Sequence, residues 1–443
     1  MEQPQSAERP AIHRFLYGVL GIRHDELQAV AWSFLYFFCV LSSYFMLRSV
    51  REAMAIVSGV QTIPWLFTGT FVLMMMATPV FGWIASKYPR RTFLPWIYWF
   101  FVANILAFFG VFSYSLANDL SIAWTSRVFF VWLSVFNLFV VSVFWSFMAD
   151  IYDKEQSHRL FGVISAGGSA GAILGPILTA LLVTRIGFQN ILPISAFVLS
   201  LGVFCIFKLR NWVQVRHERD NAAKTVESSK PLGGTAWAGL KFVLTTPYFR
   251  AIAIALACAN FLGVVTYIYV ADLVSTTFEG TDKQTQIYAI LDTAVNATSF
   301  IGQLLIVRQV VKRAGVGWTL AILPIASVAL FLALTIHPVF IVIAVLQVLR
   351  RSITFGLTKP TTDMLYVVVS PEEKYKAKNF IETAVYRAWD AIASWIVRGI
   401  GGLGLTGVAA VCIPIALAWT WLALWIGREY RRRESAMPKE TAT

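Results

Sequence analysis

Charged residues are scarce in this sequence of 443 residues, because only 14% of them are Asp, Glu, Lys or Arg. About 25% of the residues in an average soluble domain are charged. Hydrophobic residues make up 57% of the chain, and the mean hydropathy is +0.65. This balance argues against a soluble globular domain and is typical of a protein that crosses a membrane many times.

Cysteine and histidine are also few, and neither shows the spacing of a metal site. The four cysteines (Cys39, Cys205, Cys258 and Cys412) lie singly in apolar runs, which predicts no disulfide framework. The five histidines show no HxxxH or HExxH spacing. The sequence also lacks a phosphate-binding Walker loop, a GxSxG nucleophile elbow and a zinc motif. We therefore predict no metal site, no cofactor and no enzyme activity.

Long apolar runs dominate the chain instead. A membrane span needs about 20 mostly apolar residues, and twelve stretches meet this requirement. We predict an all-α polytopic membrane protein with twelve transmembrane helices, at about residues 27–50, 62–86, 92–115, 122–149, 160–184, 190–208, 248–276, 285–309, 317–336, 338–367, 377–400 and 404–427.

The basic residues between these spans fall almost entirely on one side. The opposite loops hold only Arg185 and Lys283, so the positive-inside rule predicts that both termini are cytoplasmic. The first 26 residues have no short apolar core of a cleavable signal peptide. We expect a monomer in the bacterial inner membrane. The net charge of +13 is then explained by topology, and we predict no nucleic-acid partner.

One long polar segment divides the chain into two halves. Residues 210–247 read as a cytoplasmic linker, and a transporter built from two six-helix bundles predicts a linker at this place. The predicted organisation is a cytoplasmic N-terminal segment (1–26), an N-terminal six-helix bundle (27–209), the linker (210–247), a C-terminal six-helix bundle (248–427) and a cytoplasmic basic tail (428–443).

Charged residues recur inside the predicted spans, where a bare charge costs about 2.5–3.5 kcal/mol on insertion scales. Arg48 and Arg51 are three residues apart near the end of the first run and share one helix face. Glu52 can pair with Arg48 at a spacing of four. These arginines either line a water-filled cavity or extend to the lipid headgroups.

The tenth and eleventh predicted spans hold further charges. Lys359 precedes Pro360, which should interrupt its helix at membrane depth, and Arg387 shares a helix face with Asp390. Guanidiniums there can coordinate an anionic solute, or salt bridges can open and close as gates; we favour a mixture. The candidate cations are Arg48, Arg51, Arg350, Arg351, Lys359 and Arg387, and the candidate anions are Glu52, Asp272, Asp292, Asp363, Glu382 and Asp390. The predicted substrate-binding residues are Arg48, Arg51, Glu52, Trp145, Arg350, Lys359, Asp363, Arg387 and Asp390.

Small residues recur every fourth position in the fifth predicted span, at Gly167, Gly171 and Gly175. This spacing lets the backbone of another helix approach closely. We predict that the stripe serves packing between the two halves, with static packing as the alternative.

Several motifs occur in one order along the chain. They are Tyr44-Phe45-Met46-Leu47-Arg48-Ser49-Val50-Arg51-Glu52, Phe144-Trp145-Ser146-Phe147-Met148-Ala149-Asp150, Arg159-Leu160-Phe161-Gly162, Lys359-Pro360-Thr361-Thr362-Asp363-Met364-Leu365-Tyr366 and Glu373-Lys374-Tyr375-Lys376-Ala377-Lys378. Together they resemble the nucleotide transporters of the ATP:ADP antiporter family, which are distant relatives of the major facilitator fold. The sequence departs from that family where Val264 replaces a Glu and Lys359 replaces an Asp.

The resemblance implies a secondary active transporter that moves an anionic or zwitterionic organic solute by alternating access between two pseudo-symmetric six-helix bundles. Nucleotide-like solutes are the leading substrate class. The alternative is a proton-coupled symporter or exporter of a peptide, a siderophore or a sugar phosphate, so a proton or a counter-substrate would be the coupling partner. A non-transporting receptor or scaffold is the competing class.

Overall fold

The computed structural model of the protein describes residues 22–23, 25–87, 90–220 and 242–436. Predictions for the first 21 residues, for positions 221–241 of the linker and for the last seven residues of the basic tail lie outside the described residues. The described part is built from long helices. They are α1 (Leu27–Val57), α2 (Ile63–Lys87), α3 (Arg90–Ala117), α4 (Ala123–Ile151), α5 (Lys154–Ile186), α6 (Phe188–Asp220), α7 (Pro247–Thr277), α8 (Thr281–Ile301), α9 (Val307–Ile336), α10 (Phe340–Ile353), α11 (Lys359–Met364), α12 (Pro371–Phe380), α13 (Tyr386–Ile400) and α14 (Gly404–Ala436).

Ten stretches of the described residues are long and apolar enough to cross a membrane. Two of them, Thr281–Ile336 with 56 residues and Tyr386–Ala436 with 51 residues, are far longer than the roughly 20 residues of one crossing. Each contains a glycine at positive φ, Gly315 at 75° and Gly404 at 69°, where an ordinary helix cannot continue. The predicted fold class, an all-α polytopic membrane protein, is confirmed. The count agrees with twelve if each of these two stretches crosses twice.

Large apolar side chains are exposed along many of these helices. Trp96 is 75% exposed, Leu304 is 65% exposed and Ile341 is 64% exposed. A soluble monomer rarely exposes apolar patches on this scale, whereas lipid tails solvate them at no cost. The exposed aliphatic and aromatic residues therefore face lipid.

Two compact units divide the chain, and each draws on separate stretches of sequence. The first unit contains the described residues within Met1–Arg48, Pro79–Leu120 and Val135–Glu227. The second contains those within Ser49–Thr78, Ser121–Ser134 and Ser228–Thr443. The second unit therefore combines the end of α1 and the first parts of α2 and α4 with the helices from α7 onward. The predicted bundle boundaries stay a prediction.

In the first unit, the glycine stripe of α5 packs directly on the backbone of α1. A Cβ atom added to Gly167, Gly171 or Gly175 would overlap the carbonyl oxygens of Phe34, Phe38 and Ser42 respectively. The predicted close approach of another helix backbone is confirmed. The neighbouring helix is α1 of the same sequence half, so the predicted packing between the two halves is wrong for this stripe. The fit is close because the glycines and the α1 carbonyls both recur every fourth residue.

Gly171→Ala should therefore destabilise the protein. The added methyl group has no space against Phe38, and overpacking costs typically about 1–3 kcal/mol. Gly162→Ala is the matched control, because a Cβ at Gly162 in the same helix meets nothing within 4 Å. Thermal unfolding in detergent should show a lower midpoint for G171A than for the wild type. The midpoint of G162A should equal that of the wild type. Equal midpoints would contradict the tight packing of α1 on α5.

A buried carboxylate ties the start of α1 to the start of α5. Glu26 is only 1% exposed. It accepts hydrogen bonds from Gln156 Nε2 at 2.9 Å, from Arg159 Nη2 at 2.9 Å and from the backbone nitrogen of Arg23 at 3.0 Å. Burial by itself raises the pKa of Glu26, but these hydrogen bonds outweigh burial and hold the pKa below its ordinary value of 4.5.

This carboxylate predicts a pH dependence of stability. Because the folded pKa of Glu26 lies below the unfolded one, its contribution is complete above pH 4.5 and is lost as the pH falls through the folded pKa. Between about pH 6 and about pH 3, the unfolding midpoint of the wild type should fall more steeply than that of E26Q, which cannot titrate. E279Q, which removes an exposed carboxylate between α7 and α8, serves as the control. Parallel curves for E26Q and the wild type would contradict the assignment.

In the second unit, π-turns interrupt the helices that carry the predicted charges. They lie at Gly302–Ile306, Thr354–Thr358 and Ile381–Val385. The second of these immediately precedes Lys359 and Pro360, and Pro360 cannot donate a helical backbone hydrogen bond. The predicted interruption at Pro360 therefore takes the form of a π-turn. Such turns are frequent at functional sites.

Candidate functional site

The end of α1 carries an ion pair that reaches two other helices of the second unit. Arg51 Nη2 lies 2.6 Å from Glu52 Oε1, and Arg51 Nη1 donates to Ser134 Oγ at 3.2 Å. The guanidinium also lies over the ring of Phe130 on α4, 4.5 Å from its centroid. Tyr267 on α7 donates a hydrogen bond of 2.6 Å to Glu52 Oε2. Glu52 is 3% exposed, so its charge is held by protein groups.

A second buried pair joins α8 to α10. Arg351 Nη1 lies 2.7 Å from Asp292 Oδ1, and their side chains are 11% and 3% exposed. Both residues were candidate charges from the sequence, but nothing in the sequence predicted that they pair. The pair determines which face of α10 packs against α8.

Arg387 and Asp390 form a third pair along α13. Arg387 Nη1 lies 3.6 Å from Asp390 Oδ2, which confirms the predicted shared face. The charge of Asp390 is also close enough to interact with Arg51 and Arg350. The structure therefore brings four predicted site residues from α1, α10 and α13 into one electrostatic neighbourhood.

These groups form what we call the central cluster: Arg51, Glu52, Asp292, Arg350, Arg351, Arg387 and Asp390. The cluster contains four guanidiniums and three carboxylates, and thus one positive charge in excess when all are ionised. Such a charge inside membrane-spanning helices is expensive, so the central cluster is the candidate functional site.

A separate and more exposed group, the outer cluster, consists of Lys359, Asp363, Lys378 and Glu382. Lys359 Nζ lies 2.6 Å from Glu382 Oε1 and 3.4 Å from Asp363 Oδ1. Lys378 Nζ lies 2.7 Å from the same Asp363 oxygen. The Lys359 side chain is 46% exposed, so these pairs are accessible and exchangeable. The outer cluster thus links α11, which follows the π-turn at Thr354–Thr358, to α12 and to the π-turn at Ile381–Val385.

The remaining predicted residues lie elsewhere. Arg48 belongs to the first unit, where its guanidinium lies 5.6 Å from the ring centroid of Phe45. Trp145 also belongs to the first unit, and its ring makes edge or tilted contacts with Phe37, Phe144 and Phe161 at 5.2–5.3 Å. Asp272, a candidate anion, is exposed near the end of α7.

Sequence reasoning missed the contribution of Tyr267. It follows a Val-Thr pair at 265–266 and looks like any aromatic residue in an apolar span. Lys378 stands in the sequence only as the last residue of one of the family-like motifs, although in the structure it shares Asp363 with Lys359. No group of three or more His, Cys, Asp or Glu side chains able to hold a metal ion occurs among the described residues.

Further contacts connect the first part of α2 to α13 within the second unit. Trp395 Nε1 donates to Thr68 Oγ1 at 3.1 Å, and the rings of Trp65 and Trp395 meet edge to face at 5.0 Å. Phe67 lies 5.2 Å from Tyr267, ring to ring. We call these contacts, with the hydrogen bond between Tyr267 and Glu52, the end contacts. They join helices that precede the linker to helices that follow it.

Long lipid-facing helices with a buried charged cluster are typical of a membrane transporter. The family model of the Major Facilitator Superfamily matches residues 32–393. The chain belongs to this superfamily.

Relatives over nearly the whole length are nucleotide carriers by name. The chain is 21% identical over 515 residues to ADP,ATP carrier protein 2 of Chlamydia pneumoniae, with 97% of this chain and 94% of that protein covered. It is 22% identical over 506 residues to ADP,ATP carrier protein 4 of Rickettsia felis, with 97% of each covered. The resemblance to the ATP:ADP antiporter family is confirmed.

Solved structures show the same fold. A bacterial homologue of the iron transporter ferroportin superposes with a TM-score of 0.61 at 13% identity, over 92% of this chain and 98% of that chain. The nucleoside transporter NupG gives a TM-score of 0.57 at 14% identity, with 94% of this chain and 100% of that chain covered. At these identities the likeness shows the fold alone.

Proposed function

We propose that this protein is a secondary active transporter that moves an anionic or zwitterionic organic solute across the bacterial inner membrane by alternating access. The observation that carries the proposal is the central cluster, in which guanidiniums outnumber carboxylates within membrane-spanning helices. Arginine binds carboxylates and phosphates through a planar fork of donors. A scaffold protein would gain nothing from the insertion cost of these charges.

Nucleotide-like solutes are the leading substrate class. The full-length relatives are named ADP,ATP carriers, and Arg48, Arg51 and Glu52 lie in the motif that carries the resemblance. Arg350 would contact the anionic part of the solute. Arg51 and Arg387, paired with Glu52 and Asp390, would add positive charge around it. The outer cluster, with Lys359 and Asp363, would exchange its pairs as the solute passes.

Alternating access requires that some contacts break on one side of the membrane while others form on the opposite side. The end contacts are suited to this role, because they join elements from both sequence halves through a few hydrogen bonds and aromatic rings. By the distribution of basic residues, both termini are cytoplasmic and the end contacts lie on the side away from the cytoplasm.

Counterflow in proteoliposomes tests the proposal. Purified protein is reconstituted with or without unlabelled ADP inside, and uptake of labelled ATP, ADP and AMP is measured. Uptake that requires internal nucleotide supports exchange. The same uptake with the Arg51→Gln variant should fall to the level of empty liposomes. No uptake of any nucleotide, with or without internal ADP, would contradict the nucleotide class.

Proton coupling to a non-nucleotide solute is the second candidate. The carboxylates of the central cluster support it, since Glu52 and Asp390 lie among guanidiniums within membrane-spanning helices, and acidic residues in such positions often belong to proton relays. In the same liposomes, uptake of a peptide, a siderophore or a sugar phosphate that follows an imposed pH gradient would favour this candidate over exchange.

A further inference from the structure

Arg350 differs from the other guanidiniums of the central cluster. Arg51, Arg351 and Arg387 each pair with a carboxylate, at 2.6, 2.7 and 3.6 Å. Within the described part of the chain, no carboxylate lies within ion-pair distance of the Arg350 guanidinium, and its Nε atom is buried with no hydrogen-bond partner. A buried donor left in this state costs free energy that a ligand can recover.

The guanidinium of Arg350 has space because a glycine lies opposite it. On α7, Gly263 faces the guanidinium, and a Cβ at this position would lie 3.0 Å from Nη1 and 3.1 Å from Nη2 of Arg350. Any larger residue at 263 would displace the guanidinium. The neighbouring charge of Arg351 and the charge of Asp390 both act on Arg350, so the site is cationic but already partly balanced.

The charge balance limits what the site can take. One uncommitted guanidinium matches one oxyanion group. A second anionic group would need Arg51, Arg351 or Arg387 to leave its carboxylate, and breaking a buried pair leaves an uncompensated charge. The second and third phosphates of a polyphosphate should therefore add little binding free energy to the contribution of the phosphate that contacts Arg350.

Resting on the proposed function, we infer that Arg350 is the principal anion contact of the second unit, and that this site takes a single oxyanion group, a phosphate monoester or a carboxylate, rather than a polyphosphate. Gly263 is the positioning residue that seats the guanidinium. A nucleoside monophosphate satisfies this chemistry better than a nucleoside triphosphate does.

A series of ligands that differ only in phosphate number tests the inference. Isothermal titration calorimetry on the purified full-length protein compares adenosine, AMP, ADP and ATP. AMP should bind about tenfold to a hundredfold tighter than adenosine, which is the effect of one hydrogen-bonded charge. ATP should bind within about threefold of AMP. ATP binding a hundredfold tighter than AMP would overturn the inference.

Variants assign the effect to Arg350. R350Q should reduce AMP affinity to that of adenosine while leaving adenosine affinity unchanged. G263A keeps the charge and should weaken AMP binding several-fold. R127Q, which removes a guanidinium bound to the Ser58 carbonyl outside the cluster, should leave the ratio of AMP to adenosine affinity as in the wild type. An unchanged ratio in R350Q would overturn the inference.

Inorganic phosphate and acetate separate this inference from the proposed nucleotide class. If no nucleoside or nucleotide binds, the nucleotide class fails. A rise in unfolding temperature with phosphate or acetate that R350Q abolishes would still support the Arg350 site, and would show which oxyanion it prefers. No response to either anion would overturn the site itself.

Discussion

Tyr267→Phe should open the end contacts and raise the reactivity of a cysteine placed at Thr68 by about tenfold to a hundredfold. The variant removes the hydrogen bond of 2.6 Å that the Tyr267 hydroxyl donates to Glu52. A hydrogen bond to a charged group contributes about 1.5–3 kcal/mol, and each 1.4 kcal/mol changes an equilibrium tenfold. Glu52 keeps its pair with Arg51, so the variant should fold normally.

The measurement is the rate at which a membrane-impermeant maleimide modifies T68C, which lies at the contact with Trp395. Cys258 is replaced by serine in every variant, because it is the half-buried one of the four native cysteines. If the hydrogen bond exists in only one of two conformations, its loss shifts the population toward the other one. The rate of modification reports this shift without knowledge of the substrate.

Tyr288→Phe is the matched control for this experiment. Tyr288 is also a buried tyrosine of the second unit, but its hydroxyl has no hydrogen-bond partner among the residues that the structure describes. Y288F should leave the modification rate within about twofold of the parent. An equal effect of Y288F and Y267F, or no effect of Y267F, would show that the Glu52 contact does not hold this side closed.

Sequence patterns predicted those features of the structure that are set within a single helix. The glycine spacing of α5 and the shared face of Arg387 and Asp390 follow from the helical period, and both are present. The apolar runs also predicted where the helices lie, because bilayer thickness sets the length of an apolar run. They did not predict the polar ends, since α6 continues to Asp220 and α14 to Ala436, beyond the predicted span ends at 208 and 427. Gly315 and Gly404 lie at the breaks that the sequence predicts after residues 309 and 400, and their positive φ values show why an ordinary helix cannot continue there.

Contacts between helices could not be predicted in the same way. Tyr267 and Glu52 are 215 residues apart, and Arg351 and Asp292 are 59 residues apart. Arg350 and Arg351 are adjacent in sequence, so composition cannot tell which one finds a carboxylate. Their side chains leave α10 about 100° apart, and the packing of α7 and α8 decides that one faces Gly263 and the other faces Asp292. The roles within the central cluster therefore required the structure.

Asp292→Asn should cause the largest loss of stability among single charge substitutions in the second unit. It leaves the Arg351 guanidinium without its countercharge at a site where both side chains are almost completely buried. Breaking a buried pair by removing one partner costs about 3–5 kcal/mol. Thermal unfolding in detergent should show a large drop of the midpoint for D292N.

Glu155→Gln provides the comparison that separates burial from charge. Glu155 pairs with Arg23 at 3.0 Å, but these side chains are 70% and 52% exposed, and an exposed pair contributes about 0–1 kcal/mol. The double variant D292L/R351M should recover most of the stability lost in D292N, because it removes both charges and fills the space with apolar atoms. If D292N and E155Q lower the midpoint equally, or if the double variant is less stable than D292N, then the link between α8 and α10 does not depend on this ion pair.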